Sequence, residues 1–560
     1  MLLSNLNLLA TAPGGVVRLR ELILTLAVQG KLMPQDSNDE PASELLKKIR
    51  TEKDRLIAEG KIKRDKPLVE IAEEEQPFGL PKGWEWARLG DLCSYIQRGK
   101  GPAYADHSEH RVISQKCVRW YGLNLEPARF VTAESLTKYE AIRFLQAGDL
   151  LWNSTGTGTI GRACLVPPAQ DKAGLVADSH VTVVRPVQLN GWFLWRWIQS
   201  PYVQSEIEGS ASGTTNQIEL NTSTVINHLT PVPPAAEQSR IVNRVEELMR
   251  LCDALEAKGQ LEATQHAQLV STLLATLTDS ETSAQLADNW HRIATHFDLL
   301  LDRPEAVDAL EQTIFGLAMR GMLVAQDLSD EPTKEVVTRI AERRKQTRMK
   351  SVVGDSGEAD TGLFSLPQSW AWCNVEQIAK VCLGGTPARQ ESSYWNGTIP
   401  WVSSGEVANG RVSDTKEKIT PAGLANSNAK VYPRNTVLIA MIGQGKTRGQ
   451  SAILDIEAST NQNVAGLILE PEAANPNFIF LWALHEYVRT RSGGRGGAQP
   501  ALNGAIVRSL KVPLPPLAEQ ARIITRVAQL RRLCADLRQR LAASQSTQAH
   551  LAEALVENVA

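Results

Sequence analysis

Two stretches of the chain carry apolar residues at steps that alternate between four and three. The first runs through Ile241, Val245, Leu248, Cys252 and Leu255, the second through Ile523, Val527, Leu530, Cys534, Leu537 and Leu541. Steps of that kind make a heptad seam, which predicts a helix packed along its length on a partner helix. A Pro-Pro pair precedes each seam and a glutamate, Glu237 or Glu519, follows within one turn, as suits a helix N-terminus. A helix from about Ala518 to Val559 would span on the order of 60 Å at about 1.5 Å per residue, which is spacer length. The segments Leu19 to Arg50 and Val307 to Ala341 also have helical patterns. Elsewhere the period changes to short apolar runs that enter glycine-rich turns, at Gly148 to Gly158 and Asn435 to Gly445, and these predict strands followed by loops. Two aromatic stretches, Trp192 to Ile207 and Phe478 to Arg491, predict helices with their rings in a core. The charged segments Lys61 to Gln76 and Lys345 to Gly362 suit solvated linkers.

The pattern occurs twice. P-P-A-A-E-Q-S-R-I-V-N-R-V from Pro233 returns as P-P-L-A-E-Q-A-R-I-I-T-R-V from Pro515. L-P-K-G-W-E-W from Leu80 returns as L-P-Q-S-W-A-W from Leu366, and G-K-L-M-P-Q-D from Gly30 as G-M-L-V-A-Q-D from Gly321. A duplication of this extent fixes the architecture before any single element does. Each copy reads as helix, variable domain, helix, and the inserts between the matched blocks resemble each other far less. The expected fold class is α+β: two α/β heads joined by long helices that form an antiparallel coiled-coil spacer, with an internal pseudo-two-fold repeat. The expected boundaries are a helical region and linker at 1–78, a head at 79–235, a central helical region and linker at 236–362, a second head at 363–516 and a closing spacer helix at 517–560.

Composition narrows the function classes. A chain of 560 residues exceeds what one core normally holds, and 42% hydrophobic with 22% charged residues is ordinary for a folded protein. A net charge of −2 excludes a uniformly basic nucleic-acid binder, so any DNA surface is local. The seven cysteines are scattered without C-x-x-C spacing and read as buried free thiols in a reducing compartment. No stretch approaches eighteen consecutive apolar residues and the N-terminal run lacks the basic flank of a signal peptide, so the expected location is the cytoplasm, away from membranes.

The twin strings P-V-P-P-A-A-E-Q and P-L-P-P-L-A-E-Q, each closing an insert and opening a heptad helix, resemble the repeated signature of type I restriction-modification specificity subunits. G-G-T-P at Gly384 to Pro387 and Y-W-N-G-T-I-P-W-V-S-S-G-E at Tyr394 to Glu406 resemble strings of their recognition domains. The resemblance covers nearly the whole chain. It implies a non-catalytic subunit that binds double-stranded DNA at a split target, one head per half-site. It also implies assembly with methyltransferase subunits, two in number, and through them with restriction and translocase subunits. S-adenosylmethionine, ATP and magnesium then belong to those partners, and this chain holds no cofactor or metal. The long helical extension before the first head departs from the family pattern and fits a frame closed by pairing of the two chain ends.

The candidate DNA contacts follow from local charge beside glycine-rich turns. In the first head Arg98, Lys100, Lys116 and Arg119 bracket the aromatic Tyr104 and Trp120, and the loop after Trp152 offers Thr155, Thr157 and Arg162. In the second head Thr386, Ser403 and Ser404 lie in the family-like strings and Arg389 lies between them. Its glycine-rich turn offers Gln444, Lys446 and Arg448, and a later loop Arg495. Glycines let backbone approach phosphate, and arginine grips phosphate or guanine; a solvated hairpin would look similar. The string A-M-I-G-Q-G-K-T, Ala440 to Thr447, also fits a relaxed P-loop, but that loop needs a helix next and R-G-Q-S-A-I-L-D-I is strand-like. N-P-N-F at Asn475 to Phe478 is one proline short of an adenine-methyltransferase motif, and no cofactor-binding glycine motif accompanies it. His107 and His110 lack companion metal ligands. Gln217 with Asn221, and Gln499 with Asn503, recur in both heads, and so suit turn capping better than base reading. The alternatives to a DNA-reading subunit are an enzyme, either a stand-alone methyltransferase or an ATPase, and a structural coiled-coil adaptor without a DNA role.

Overall fold

The computed structural model describes residues 6–64, 66–137, 139–156, 158–168, 174–211, 219–346, 364–442, 447–492 and 502–557. It divides into two compact units, Met1–Glu262 with Gln545–Ala560, and Ala263–Ser544.

In the first unit three helices precede the head, α1 (Leu6–Thr11), α2 (Gly15–Val28) and α3 (Ala42–Ala58). Gly30 ends α2 at φ +69°, and a Cβ there would lie 2.6 Å from Pro81 and 2.9 Å from Trp84, so both the left-handed backbone and the close approach of the L-P-K-G-W segment require glycine. The head is closed by the antiparallel pair of β1 (Glu85–Arg88) and β12 (Leu229–Val232). Inside it, β2 (Cys93–Arg98), β8 (Leu150–Asn153), β9 (Ala163–Leu165) and β11 (Val181–Pro186) form a sheet in the order β2-β11-β8-β9. A second sheet, β10-β4-β7-β3, joins β3 (Tyr104–Ala105), β4 (Arg111–Ile113), β7 (Arg129–Val131) and β10 (Val176–Ala177). A hairpin of β5 (Val118–Arg119) and β6 (Gly122–Leu123) completes the head. All four residues of β8 are buried, which is why this strand reads as an unbroken apolar run rather than an alternating one. Helix α4 (Gly191–Gln199) buries Phe193, Leu194, Trp195, Trp197 and Ile198; α5 (Pro201–Ala211) follows it, and the first long helix is α6 (Ala235–Thr278).

The second unit repeats this plan. After α7 (Ser283–Thr295), α8 (Pro304–Met319) and α9 (Thr333–Gln346), the head is closed by β13 (Ala371–Asn374) paired with β22 (Lys511–Leu514). Its larger sheet, β14-β21-β18-β19-β16, contains β14 (Ala379–Leu383), β16 (Gly410–Val412), β18 (Val437–Ala440), β19 (Ser451–Leu454) and β21 (Val464–Leu469). The smaller one, β17-β15-β20, contains β15 (Trp395–Val402), β17 (Glu417–Ile419) and β20 (Ser459–Thr460). Thus β14-β21-β18-β19 reproduces β2-β11-β8-β9, and the parallel pair β15·β20 reproduces β4·β10. Helix α10 (Pro476–Ser492) and the second long helix, α11 (Leu517–Glu557), end the unit's elements. Gly321 sits after α8 at φ +70°, against Pro367 and Trp370, as Gly30 does in the first unit.

The signature repeated in the sequence is a clasp between head and helix. Trp84 Nε1 donates to Glu237 Oε2 at 3.0 Å, and Trp370 Nε1 to Glu519 Oε2 at the same distance. Gln238 donates to Pro233 O and accepts from Asn190 N; Gln520 donates to Pro515 O and accepts from Asn475 N. Arg240 holds Asp39, and Arg522 holds Asp330. Burial raises the pKa of both glutamates, against the hydrogen bonds from the tryptophan and a nearby glutamine.

The seam residues are buried, but their packing corrects one expectation. Ile241, Val245 and Cys252, with Leu248 partly covered, share a core with Ile23, Leu24 and Ala27 of α2, while Leu255 is half-buried. Ile523, Val527 and Cys534, with Leu530 and Leu537, share one with Val307, Leu310 and Ile314 of α8. Within each unit the partner of the seam is therefore a short helix, because an apolar stripe encodes burial and not the identity of what covers it. Charges do encode it. Arg20 of α2 donates to Asp253 and Glu256 of α6 at 2.7 Å each, whereas Glu311, at the matching place on α8, accepts from Arg531 at 2.6 Å and from Arg538 of α11. The first unit also takes in the far end of α11, where Ala552 is buried with Leu9 and Ala12 and Glu553 meets Arg18 at 2.8 Å, so the chain's two ends do pair. All seven cysteines are free and buried.

Candidate nucleic-acid interface

Strand direction in the two sheets brings four loops to one end of the first head. Strands β2, β4, β8 and β10 finish there and β9 and β11 begin there, so Gly99–Pro102, Ser114–Lys116, Ser154–Gly156 with Gly158–Gly161, and Asp178–His180 become neighbours. Backbone bonds fix them: Gly99 N to Val181 O, Lys100 N to Ala177 O, Asp178 N to Ile113 O and Ser154 N to His180 O, at 2.9 to 3.0 Å. Side chains finish the work. Asn153 donates to Gln115 O and Thr159 O at 3.1 Å each, Thr159 donates to Gln115 Oε1 at 3.0 Å, and Thr155 and His180 share a hydrogen bond of 2.6 Å. A Cβ on Gly99 would fall 2.1 Å from Ala177 O, so only glycine lets β2 turn against β10 here.

The second head builds the same end with other side chains. Gly384 N bonds Val464 O, Gly385 N bonds Thr460 O, Asn461 N bonds Val402 O and Met441 N bonds Asn463 O. By these matched backbone bonds Lys100 corresponds to Gly385, Gln115 to Ser404, Lys116 to Gly405, Thr155 to Ile442 and His180 to Asn463. A common backbone with different polar groups on it is what two readers of different base edges require, because donors and acceptors must be placed by rigid main chain and chosen by side chain.

Not every candidate residue keeps free polar groups at this end. Lys100, Lys116 and Thr155 lie on the four loops, with both lysines exposed. Arg119 stands half-buried on β5 beside them, and Tyr104 lies in β3 under the Arg129 guanidinium, 3.9 Å from its ring centroid. Arg98 is engaged by Glu219 and by Leu220 O, and Arg162 donates to Gly158 O of its own loop. In the second head Thr386 donates to Gln462, Ser403 caps a turn with Glu406, and Ser404 stands in the loop after β15. Arg389 forms a fork with Glu417 and lies over Trp395 and Trp401, which ties it to the fold. Arg448 lies on the described side of the β18–β19 turn; Thr157, Gln444, Lys446 and Arg495 lie outside the described residues, as do Gln217 and Gln499. Gln115, His180, Gln462 and Asn463, which the sequence pattern did not single out, also lie at this end. The signal for the end itself was present in G-K-G-P at Gly99 and G-G-T-P at Gly384, which stand at matching places after β2 and β14.

The rival motifs resolve into structure. Strand β19 follows the Ala440–Thr447 string, so no helix N-terminus offers its N–H groups to a phosphate there. Asn475 of N-P-N-F caps α10 by accepting from Asn477 N at 3.0 Å, as Asn190 caps α4 by accepting from Trp192 N. Asn503 accepts from Ile506 N at 2.9 Å at the start of a short helix, the capping role expected of it, whereas Asn221, at the start of the matching helix, makes no side-chain cap bond. Among the described residues no cluster of His, Cys, Asp and Glu could hold a metal, and no helix is long and apolar enough to cross a membrane.

Residues 81–265 and 367–544 match the family model described as type I restriction modification DNA specificity domain, once per head. The chain is 33% identical to the type I restriction enzyme EcoEI specificity subunit of Escherichia coli, over 97% of this chain and 93% of that one. It is 32% identical to the EcoAI specificity subunit of the same organism, with the same coverage. Among solved structures, the HsdS subunit from Thermoanaerobacter tengcongensis aligns with 87% of this chain and 98% of its own at 18% identity and a TM-score of 0.38. The chain belongs to the type I restriction-modification specificity subunit family and is a non-catalytic DNA target-recognition subunit with two specificity domains.

Proposed function

We propose that each head reads one half of a split DNA target through its four-loop end, the first using Gln115, Lys116, Thr155 and His180, the second Ser404, Gln462, Asn463 and Arg448. The observation that carries this is the shared loop backbone with unlike side chains. The chain holds two methyltransferase subunits and, through them, restriction and translocase subunits, which bring S-adenosylmethionine, ATP and magnesium. The complex works in the cytoplasm. Its two long helices act as an antiparallel spacer, supported by the way α6 gives Ile241 to Cys252 to the first unit's core and Val270, Leu274 and Leu277 to the second's.

The test is a map of methylated adenines in DNA from cells expressing the assembled system. Two short specified blocks separated by unspecified bases are expected. The double variant Gln115→Ala, Lys116→Ala should relax one block and leave the other intact. A continuous motif, or relaxation of both blocks by this variant, would overturn the reading.

A further inference from the structure

The β5–β6 hairpin turns through Trp120 and Tyr121, and both rings stand in solvent, Tyr121 at 78% exposure and Trp120 at 38%. Single exposed aromatics need no explanation. Two adjacent ones on a fixed turn are a different case. The turn is held at both sides: Gln199 donates to Trp120 O at 3.2 Å, Asn124 N bonds Cys117 O at 2.9 Å, and Gly122 supplies the φ of +131° that lets the chain reverse. It follows directly on the Ser114–Lys116 loop, so the rings flank the recognition end of the first head, with exposed Lys116 before them and Arg119 at their base.

The second head lacks this feature at the matching place. There the chain passes through Ala408 and Asn409, and Asn409 turns inward, accepting from Ser451 N at 3.0 Å. The first head thus carries a hairpin tipped with two rings where the second carries a bend with a small residue and an inward-turned asparagine.

Resting on the reading above, we infer that Trp120 and Tyr121 are an aromatic contact to DNA at the edge of the first half-site, packing on a base face that the second head does not touch. The cations that precede the rings suit a phosphate flanking the ring contact, and an apolar ring on a rigid turn is the device by which proteins wedge into or stack on a base step. A protein partner would leave the adjacent lysine and arginine facing no particular charge, so DNA is the occupant the charges favour.

The experiment uses the assembled complex with its methyltransferase partner and duplexes carrying the mapped target. Trp120→Ala with Tyr121→Ala should weaken specific binding by roughly tenfold or more, the scale of one base–aromatic contact. The dependence of affinity on salt should stay unchanged, because no phosphate contact is removed. Tyr121→Phe should bind as the parent does. 2-Aminopurine placed in the outermost pair of the first half-site should change fluorescence with the parent complex and not with the double variant. Unchanged affinity and fluorescence response in a folded double variant would overturn the inference. So would normal binding by a variant that no longer assembles with methyltransferase, which would make the tip a protein contact. If the parent complex itself failed to prefer its target over random duplex, the functional reading would fail first.

Discussion

Glu519 accepts from Trp370 Nε1 and from Gln326 Nε2 at 2.7 Å, in a place closed to solvent. Replacing it with alanine strands both donors, so Glu519→Ala should cost about 1–3 kcal/mol, read as an earlier urea transition of the full chain. The larger loss of amide protection should fall on β13 and β22. His228 gives a pH prediction at the same scale. Its ring sits against Trp152 and Trp197, whose indole Nε1 donates to His228 Nε2 at 3.1 Å, and loss of solvent holds its pKa down to about 4. A histidine whose folded pKa is depressed contributes stability that is complete above the ordinary value near 6.5 and is lost as pH falls, because the unfolded chain takes up a proton that the folded head refuses. Urea midpoints of the first head should drop between pH 6.5 and about 4, and an NMR titration of the His228 ring should place its midpoint near the lower figure. A midpoint near 6.5 would sink the assignment.

At the scale of elements, the charge reversal between α2·α6 and α8·α11 makes each short helix match only its own long helix. Arg20 against Arg531 and Arg538, or Glu311 against Asp253 and Glu256, would place like charges together. The two pairs differ in weight. The acids facing Arg20 are largely exposed, so Arg20→Glu should cost about 0.5–1 kcal/mol. Glu311 has only 11% of its side chain exposed; burial alone would raise its pKa, yet the hydrogen bonds from Arg538 and Arg531 hold it below the usual range. Glu311→Arg should therefore cost about 3 kcal/mol, and the added changes Arg531→Glu and Arg538→Glu should recover most of it, as urea unfolding of the triple variant would show. The seam was legible from its period and the head strands from their apolar runs before glycine-rich turns. The partner of the seam was not, because Ile241 and Ile523 would be buried equally well by any apolar stripe. The four-loop end was legible only in part: the glycine-rich turns after β2 and β14 marked it, but its assembly rests on pairings between distant strands such as β2 with β11, and no local pattern at Gln115 or His180 announces them. What Arg98 and Arg389 meet was not legible, because their acid partners Glu219 and Glu417 lie far away in sequence.

For the whole molecule, the two long helices connect the units through stretches that neither core uses. In α6 the packed positions end near Leu255 and resume at Val270, and in α11 they end near Leu541 and resume at Ala552. If these helices set the gap between half-sites, equal insertions into both exposed stretches should lengthen it without touching either reader. Seven residues after Gly259 and seven after Ser544 add about 10 Å by helical rise and turn each following segment by only about 20° relative to its former phase. That rise corresponds to about three base-pair steps of roughly 3.4 Å. The methylome of cells carrying this variant should then show the same two specified blocks with about three more unspecified bases between them. A shift in only one of the two helices should instead slip their registers and lower the yield of assembled complex. If the double insertion left the gap unchanged with full methylation, the distance would be set elsewhere, and if it changed the bases within a block, the heads would not read independently of the frame that carries them.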